Sequence, residues 1–258
     1  MIISMTPLRV SFLGGGTDYP EHFLRHGGAT LSTSIDKYTY ITVSPLTPFF
    51  DHRIRVSYSK TELCRHCDEV EHPSVRECLK YMKIDGGIEI NVVSDLPART
   101  GLGSSSSFTV GLLHALHAFK GNLVTREQLA QEAVHVEREL IQERVGLQDQ
   151  YAAACGGLQH IEYLADGRVV LRPITVSPVR IHQLEQRLMM FYTGLQRSAH
   201  EVLEQQMART SSGTITDRLV ELQALVGRAM GVLASDQELT AFGELLHQAW
   251  VLKRQFSD

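Results

Sequence analysis

Hydrophobic positions along this chain follow two rhythms. Strict alternation marks half-buried strands, and recurrence every three to four residues marks amphipathic helices. Alternation predicts strands at residues 8–13, 38–44, 53–58 and 88–93, the middle two rich in β-branched and aromatic side chains. Residues 72–81 read as a short helix, and Asp85-Gly86-Gly87 turns the chain into the strand at 88–93. Phe108, Leu112, Leu113, Leu116 and Phe119 share one helical face. So do Leu129, Ala133, Val136 and Leu140, after a capping-box pattern at Thr125 and Gln128. Residues 161–163 and 169–171, joined by Asp166-Gly167, predict a hairpin. Pro173 and Pro178 bracket a connection that reads as the domain boundary. Beyond it, 188–191 predicts a strand that leads through Tyr192-Thr193-Gly194 into a helix at 198–208. Helices at 217–233 and 238–254 follow. The mixture describes an α+β chain with domains at 1–178 and 179–258.

The junction between the strand at 88–93 and the helix beyond it carries the first candidate chemistry. It reads Pro97-Ala98-Arg99-Thr100-Gly101-Leu102-Gly103-Ser104-Ser105-Ser106-Ser107-Phe108. A helix start offers unpaired N–H groups and the positive end of the dipole, which together suit an anion. Gly101 and Gly103 let the backbone curl close around phosphate oxygens. The serine hydroxyls can ligate a metal or donate to the same oxygens. A flexible Gly/Ser linker is the plain alternative, yet linkers are not clamped between a strand and an amphipathic helix. Gly14-Gly15-Gly16-Thr17-Asp18-Tyr19 ends the first strand either as an ordinary turn or as a close approach of backbone to ligand. In the second case Asp18, beside Thr17, can hold a sugar hydroxyl. Glu137 falls at the edge of its apolar helix face, where a glutamate is ordinarily a solvating charge. Asp149 lies in Gly146-Leu147-Gln148-Asp149-Gln150-Tyr151, at a loop-to-helix junction. It either caps a helix or acts in chemistry, and the pattern does not choose.

Composition narrows the classes. Apolar content of 43% and charged content of 21% are those of an ordinary folded enzyme. A formal net charge of -4 leaves no basic footprint, which argues against nucleic acid as a partner. No apolar run reaches membrane-spanning length and the N-terminus lacks a signal-peptide pattern, so a cytoplasmic protein without a membrane partner is expected. Cys64-Arg65-His66-Cys67, with His72 and Cys78 nearby, raises a zinc site. No second CxxC accompanies it, and the cysteines read as unpaired, reduced thiols.

Several nucleotide motifs are absent. No Gly-Lys dipeptide occurs, so no Walker lysine follows a phosphate loop. Gly14/Gly16 and Gly101/Gly103 lack the third glycine of a dinucleotide fingerprint, and the protein-kinase loops are missing. What does match is Pro97-x-x-x-Gly101-Leu102-Gly103-Ser104-Ser105, which resembles the second motif of the GHMP small-molecule kinases, among them galactokinase, homoserine kinase and mevalonate kinase. Pro7-Leu8-Arg9-Val10 through Gly14–Tyr19 resembles the galactokinase substrate loop, with Gly15 and Gly16 where galactokinases carry Glu and His. Gly146-Leu147-Gln148-Asp149-Gln150 resembles the segment that bears their catalytic aspartate. Within the superfamily, Thr6-Pro7-Leu8-Arg9-Val10-Ser11-Phe12, His72-Pro73-Ser74-Val75-Arg76-Glu77 and Tyr192-Thr193-Gly194-Leu195-Gln196-Arg197-Ser198-Ala199 are similar to bacterial D-glycero-D-manno-heptose 7-phosphate kinases.

The resemblance implies a two-domain GHMP kinase fold, with a ribosomal-protein-S5-like α/β N-terminal domain and a ferredoxin-like α+β C-terminal domain. A third, glycine-rich motif is expected after the last helix, and the sequence ends before it, so the second domain is expected to be incomplete. The implied activity moves the γ-phosphoryl group of ATP, with Mg²⁺ as cofactor, onto the anomeric hydroxyl of heptose 7-phosphate. A fucose- or galactose-like acceptor, or an inactive sugar-binding homologue, is the alternative. Gly101, Leu102, Gly103, Ser104, Ser105 and Ser106 would cradle the ATP phosphates, and Ser105 and Glu137 would hold Mg²⁺ through hard oxygen atoms. Glu137 stands one residue farther from Asp149 than its counterpart does in mevalonate kinases. Asp149 would accept or orient the hydroxyl proton, while Arg9 pairs with it and stabilises charge on the moving group. Gly14, Gly15, Gly16, Thr17, Asp18 and Gly146 would hold the sugar. Arg197 would anchor the 7-phosphate, with Arg99 and Arg76 as alternatives. The implied partners are ATP and a small sugar phosphate, on a monomer or homodimer.

Overall fold

The computed structural model describes residues 1–98, 100–172, 174–192, 209–210 and 213–256. Its strands are β1 (Ile2–Leu13), β2 (Gly28–Pro45), β3 (Ile54–Ser57), β4 (Thr61–Cys64), β5 (Ile88–Ser94), β6 (Leu158–Tyr163) and β7 (Val169–Arg172). Its α-helices are α1 (Pro20–His26), α2 (Pro73–Tyr81), α3 (Ser104–Phe119), α4 (Arg126–His135), α5 (Gln148–Cys155), α6 (Pro178–Glu185), α7 (Thr216–Leu233) and α8 (Thr240–Lys253). Contacts divide the chain into one compact unit of Met1–Val10 and Ser34–Gly157 and another of Ser11–Thr33 and Leu158–Asp258. The expected division was 1–178 and 179–258. The units cut differently because β1 and β2 each contribute residues to both.

In the first unit the strands run in the order β4-β3-β5-β2, with β3 parallel to β5 and the other pairs antiparallel. A parallel pair needs a crossover, and the segment carrying α2 supplies it. The register sets Val43 opposite Ile90 and Ile90 opposite Val56. Together with Ile41, Ile54 and Ile88 these side chains are wholly buried, so one phase of the alternation forms the core. Leu112, Leu113 and Leu116 of α3 and Leu129 and Ala133 of α4 complete that core. Helix α4 starts where the capping pattern put it: the Thr125 hydroxyl accepts from the Gln128 N–H at 3.1 Å.

The early half of β1 inverts the usual polarity. Ser4 and Thr6 are buried while Ile3 and Met5 are exposed. Small polar side chains let α3 come close. Ser4 Oγ donates to the Gly111 carbonyl at 2.8 Å, and a Cβ on Gly111 would stand 2.6 Å from Thr6 Oγ1. This inversion is why the strand reads from the sequence only from residue 8 onward.

In the second unit β6 pairs antiparallel with the first half of β2, from Gly28 opposite Tyr163 to Thr33 opposite Leu158. The predicted hairpin at Asp166-Gly167 joins β6 to β7. Phe12 meets Phe242 edge-on at 5.4 Å between ring centroids, and Phe23 lies on Tyr163 at 5.6 Å. Leu219, Leu222, Val226 and Leu245 of α7 and α8 are buried in this unit. The expected strand at 188–191 is coil: Leu188, Met189, Met190 and Phe191 are exposed and enter no ladder among the described residues. An apolar run becomes a strand only where a sheet edge receives it. The Pro-bracketed connection is coil over residues 174–177, and α6 starts at its end, with Pro178 in the first turn and Ser177 Oγ accepting from the Arg180 N–H at 3.2 Å. The expected helix at 198–208 lies outside the described residues. Among these residues no helix is long and apolar enough to cross a membrane.

Candidate active site

Arg9 near the middle of β1 is the hinge of the site. Its Nε and one terminal nitrogen each donate to a different carboxylate oxygen of Asp149 at 2.7 Å, a two-pronged ion pair. The remaining terminal nitrogen donates to the Gly101 carbonyl at 2.8 Å, and the Arg9 backbone N–H donates to the Leu102 carbonyl at 3.0 Å. One residue therefore ties β1, the glycine-rich loop and the first turn of α5 together. Gly103 sits at φ 73° against the Arg9 side chain, and a Cβ there would lie 3.1 Å from Arg9 Cγ. The positive φ favours glycine there, and a Cβ would press on the Arg9 side chain.

The loop ends directly on α3. The first bond of the helical ladder runs from the Ser107 N–H to the Gly103 carbonyl at 2.9 Å, so the N–H groups of Ser104, Ser105 and Ser106 belong to the open first turn. The serine hydroxyls divide by side. Ser105 is exposed and Ser104 half-buried, while Ser106 and Ser107 point into the unit. Ser107 Oγ donates to the Thr6 carbonyl at 3.1 Å. Ser106 Oγ donates to Glu137 Oε2 at 2.9 Å.

Glu137 is not the solvated charge that its place on the helix face suggested. It is 1% exposed. It lies in a π-helical turn, Val136–Leu140, that follows α4 directly. Gln150 Nε2 donates to Glu137 Oε2 at 2.5 Å, and Glu137 Oε1 has no hydrogen-bond partner among the described residues. Burial pushes this carboxyl up to about 7, against the opposing pull of the neighbouring Thr109 hydroxyl and of the Gln150 and Ser106 hydrogen bonds. Among the described residues no group of three or more His, Cys, Asp or Glu could hold a metal. A cation at Glu137 would have to take most of its ligands from hydroxyls, water and phosphate oxygens, which is the habit of Mg²⁺.

The Gly14–Asp18 loop belongs to the second unit and is built to be rigid. Gly14 has φ 81°, and a Cβ there would stand 1.9 Å from the Ala29 carbonyl oxygen. Thr17 is wholly buried, its hydroxyl within 2.8 Å of the Gly14 carbonyl and 2.9 Å of the Ala29 carbonyl. That hydroxyl also accepts from the Ala29 N–H at 3.1 Å. Thr17 thus holds the loop itself. The buried Asp18 accepts from the Gly16 N–H at 2.9 Å, and Gly15 is the more accessible of the loop glycines.

The remaining expected site residues are dispersed. Gly146 is half-buried just before α5, in the first unit. Arg76 is already engaged, with Glu77 at 2.9 Å and the Val70 carbonyl at 3.0 Å. Arg197 and Arg99 lie outside the described residues. Cys64, Cys67, Cys78 and Cys155 are free, and burial pushes all four thiols up, away from reactivity. Sequence reasoning missed the part played by Gln150 and the inward turn of Ser106. The signal for Gln150 was its place beside Asp149, and nothing in its residue type distinguished it.

Comparison with known proteins bears on this arrangement. Residues 73–157 match the family model described as GHMP kinases N terminal domain. A D-glycero-alpha-D-manno-heptose 7-phosphate kinase of Campylobacter jejuni is 28% identical over 212 residues, which cover 79% of this chain and 62% of that protein. A galactokinase of Thermotoga maritima is 24% identical over 172 residues, 61% of this chain and 45% of that one. The chain thus spans less than two thirds of the length of these curated relatives. Among solved structures, a D-glycero-D-manno-heptose 1-phosphate kinase from Bacteroides thetaiotaomicron superposes with a TM-score of 0.78 at 22% identity, over 99% of this chain and 80% of that one. That likeness is one of fold.

Proposed function

We propose that this protein transfers the γ-phosphoryl group of ATP to a sugar hydroxyl, a reading supported by the match of residues 73–157 to the GHMP kinases N terminal domain model and by the fold it shares with a solved sugar kinase. The observation that carries the reading is the Arg9–Asp149 fork, joined through Arg9 to the Gly101 and Leu102 carbonyls of the loop. This arrangement places a carboxylate and a permanent cation beside a helix start that suits phosphate.

In the proposed reaction Asp149 orients the acceptor hydroxyl and takes its proton as the oxygen attacks the γ-phosphorus. The bond from that phosphorus to the ADP oxygen breaks, and ADP leaves. Arg9 keeps Asp149 in place and stabilises charge on the transferred oxygens. The N–H groups from Gly101 to Ser106 cradle the phosphates. Glu137, with one buried carboxylate oxygen that has no hydrogen-bond partner among the described residues, fits a divalent cation, together with a serine hydroxyl. Ser105 is the serine implied by motif, and Ser106 is the one that touches Glu137. When bound, Mg²⁺ would neutralise phosphate charge.

The acceptor we propose is the anomeric hydroxyl of D-glycero-D-manno-heptose 7-phosphate, giving heptose 1,7-bisphosphate. Likeness to the Campylobacter jejuni kinase and the small Gly15-Gly16 pair support it. Gly14, Gly15, Gly16, Asp18 and Gly146 would meet the sugar, and Arg197 its 7-phosphate. The similarity to galactokinase favours a neutral hexose as the second reading. An ADP-release assay across heptose 7-phosphate, galactose and fucose, with phosphorus NMR of the product, decides between them. Turnover with heptose 7-phosphate and a new anomeric phosphate is expected. A preference for galactose or fucose would replace the acceptor, and no ADP release with any sugar would remove the kinase reading.

A further inference from the structure

The amide of Gln150 links the two chemical parts of the first unit's site, although the transfer reaction has no direct use for an amide. Gln150 is 0% exposed and follows Asp149 in the first turn of α5. Its Nε2 donates to Glu137 Oε2 at 2.5 Å, and Ser106 Oγ donates to the same oxygen at 2.9 Å. A carboxylate accepts and does not donate, so the amide must turn its nitrogen to Glu137. Its own Oε1 is then buried with no hydrogen-bond partner among the described residues. An unmet amide oxygen in a core is costly, which marks the side chain as held for its donor end. Ser106 and Gln150 both bond Oε2, and Glu137 Oε1 has no hydrogen-bond partner among the described residues.

We infer that Gln150 is a positioning residue that selects Glu137 Oε1 as the single oxygen offered to a divalent cation. The same helical turn carries Asp149, so α5 sets the carboxylate on the cation side and the carboxylate on the acceptor side at a fixed separation. Asp149 is held by Arg9, and Glu137 is held by Gln150. Partners that orient a ligand in this way commonly govern affinity as strongly as the ligand's own chemistry does.

The inference rests on the nucleotide-and-cation reading above, and its test separates the two. The probe is Mn²⁺ with ADP, and binding to the full chain is followed by loss of the free-ion signal in electron paramagnetic resonance. Gln150→Met keeps the volume and removes the donor. Gln150→Asn keeps an amide too short to reach Glu137 and serves if the Met variant does not fold. Both should weaken Mn²⁺ binding about 10- to 100-fold. ADP affinity in chelator should stay at the wild-type level. If Glu137→Gln abolishes Mn²⁺ binding while both Gln150 variants bind like wild type, Gln150 is packing alone and the inference fails without touching the site assignment. If the wild-type chain with ADP binds no Mn²⁺, both fall.

Discussion

A buried carboxylate without its cation should weaken the fold in a pH-dependent way, and Glu137 allows the size of that effect to be worked out. Its carboxyl rises from 4.5 to about 7 because burial disfavours the charged form. The folded state therefore holds this proton more tightly than the unfolded chain does. Below 4.5 both states are protonated and the contribution is fully present; it is lost as pH rises from 4.5 through about 7. The gap between those values corresponds to about 3 kcal/mol. At about 2–4 °C per kcal/mol for a chain of this size, the shift in melting temperature is about 6–12 °C. Glu137→Gln preserves the shape and still accepts from Ser106 and Gln150, but it carries no titrating group. Other groups, such as His22 with its ring pushed down to about 4 by burial, titrate in both proteins and cancel in the difference. Thermal melts in chelator from about pH 4 to about pH 8 should show wild type falling behind the variant as pH rises. Any constant offset from the new amide drops out of the slope. Parallel profiles for the two proteins would refute the buried, charge-averse environment on which the site assignment depends.

The same geometry sets other outcomes. Asp149→Asn should lower ADP release about 100-fold or more with heptose 7-phosphate while Mn²⁺ and ADP still bind, because the base is lost and the cradle is not. Arg9→Lys should do nearly as much damage, since one ammonium nitrogen lacks the planar fork whose separate nitrogens reach the two Asp149 oxygens and the Gly101 carbonyl; unchanged kcat would count against the fork. Gly14→Ala should destabilise the protein by about 3 kcal/mol or more, read by urea denaturation, because its Cβ meets the Ala29 carbonyl at 1.9 Å. Gly101→Ala shares the positive φ, 78°, but meets nothing within 4 Å, so it should cost only about 1–2 kcal/mol. Equal losses in the two alanine variants would show that strain, not space, governs the Gly14 loop.

Much of the fold was legible wherever burial follows hydropathy. The strand at 88–93, the helix from Ser104 and the capped start of α4 all show a clean period with a local stop or start signal. Legibility failed where polarity and burial part company. Residues 2–6 bury Ser4 and Thr6 so that Gly111 can approach, and no hydropathy rhythm reports a strand packed through its small polar face. Residues 188–191 present the opposite case, an exposed apolar run that enters no ladder among the described residues. At the site, Arg9 and Asp149 could be named from motif, but their pairing across 140 positions is a tertiary fact. Thr17 shows the limit of residue type. A hydroxyl next to an aspartate suggested a sugar contact, and its bonds go to the Gly14 and Ala29 backbone instead.

Glu137 joins these lines through the helix that carries it. On an unbroken α-helix it would sit one residue round from Val136, at the edge of the apolar stripe. The chain instead widens at Val136–Leu140, where the Ile141 N–H reaches the Val136 carbonyl, five positions back, at 2.9 Å. A π turn accommodates one extra residue, and each residue of an α-helix turns the face by about 100°, so the widening re-aims the side chains that come after it. The next bond, from the Glu143 N–H to the Glu137 carbonyl at 2.8 Å, shows that the regular phase is not resumed at once. Glu137 itself lies within that turn, against Ser106 and Gln150. A helical wheel drawn at a regular step of about 100° does not describe a residue inside a π turn, which is why the hydropathy pattern put Glu137 at the edge of its face and the structure buries it.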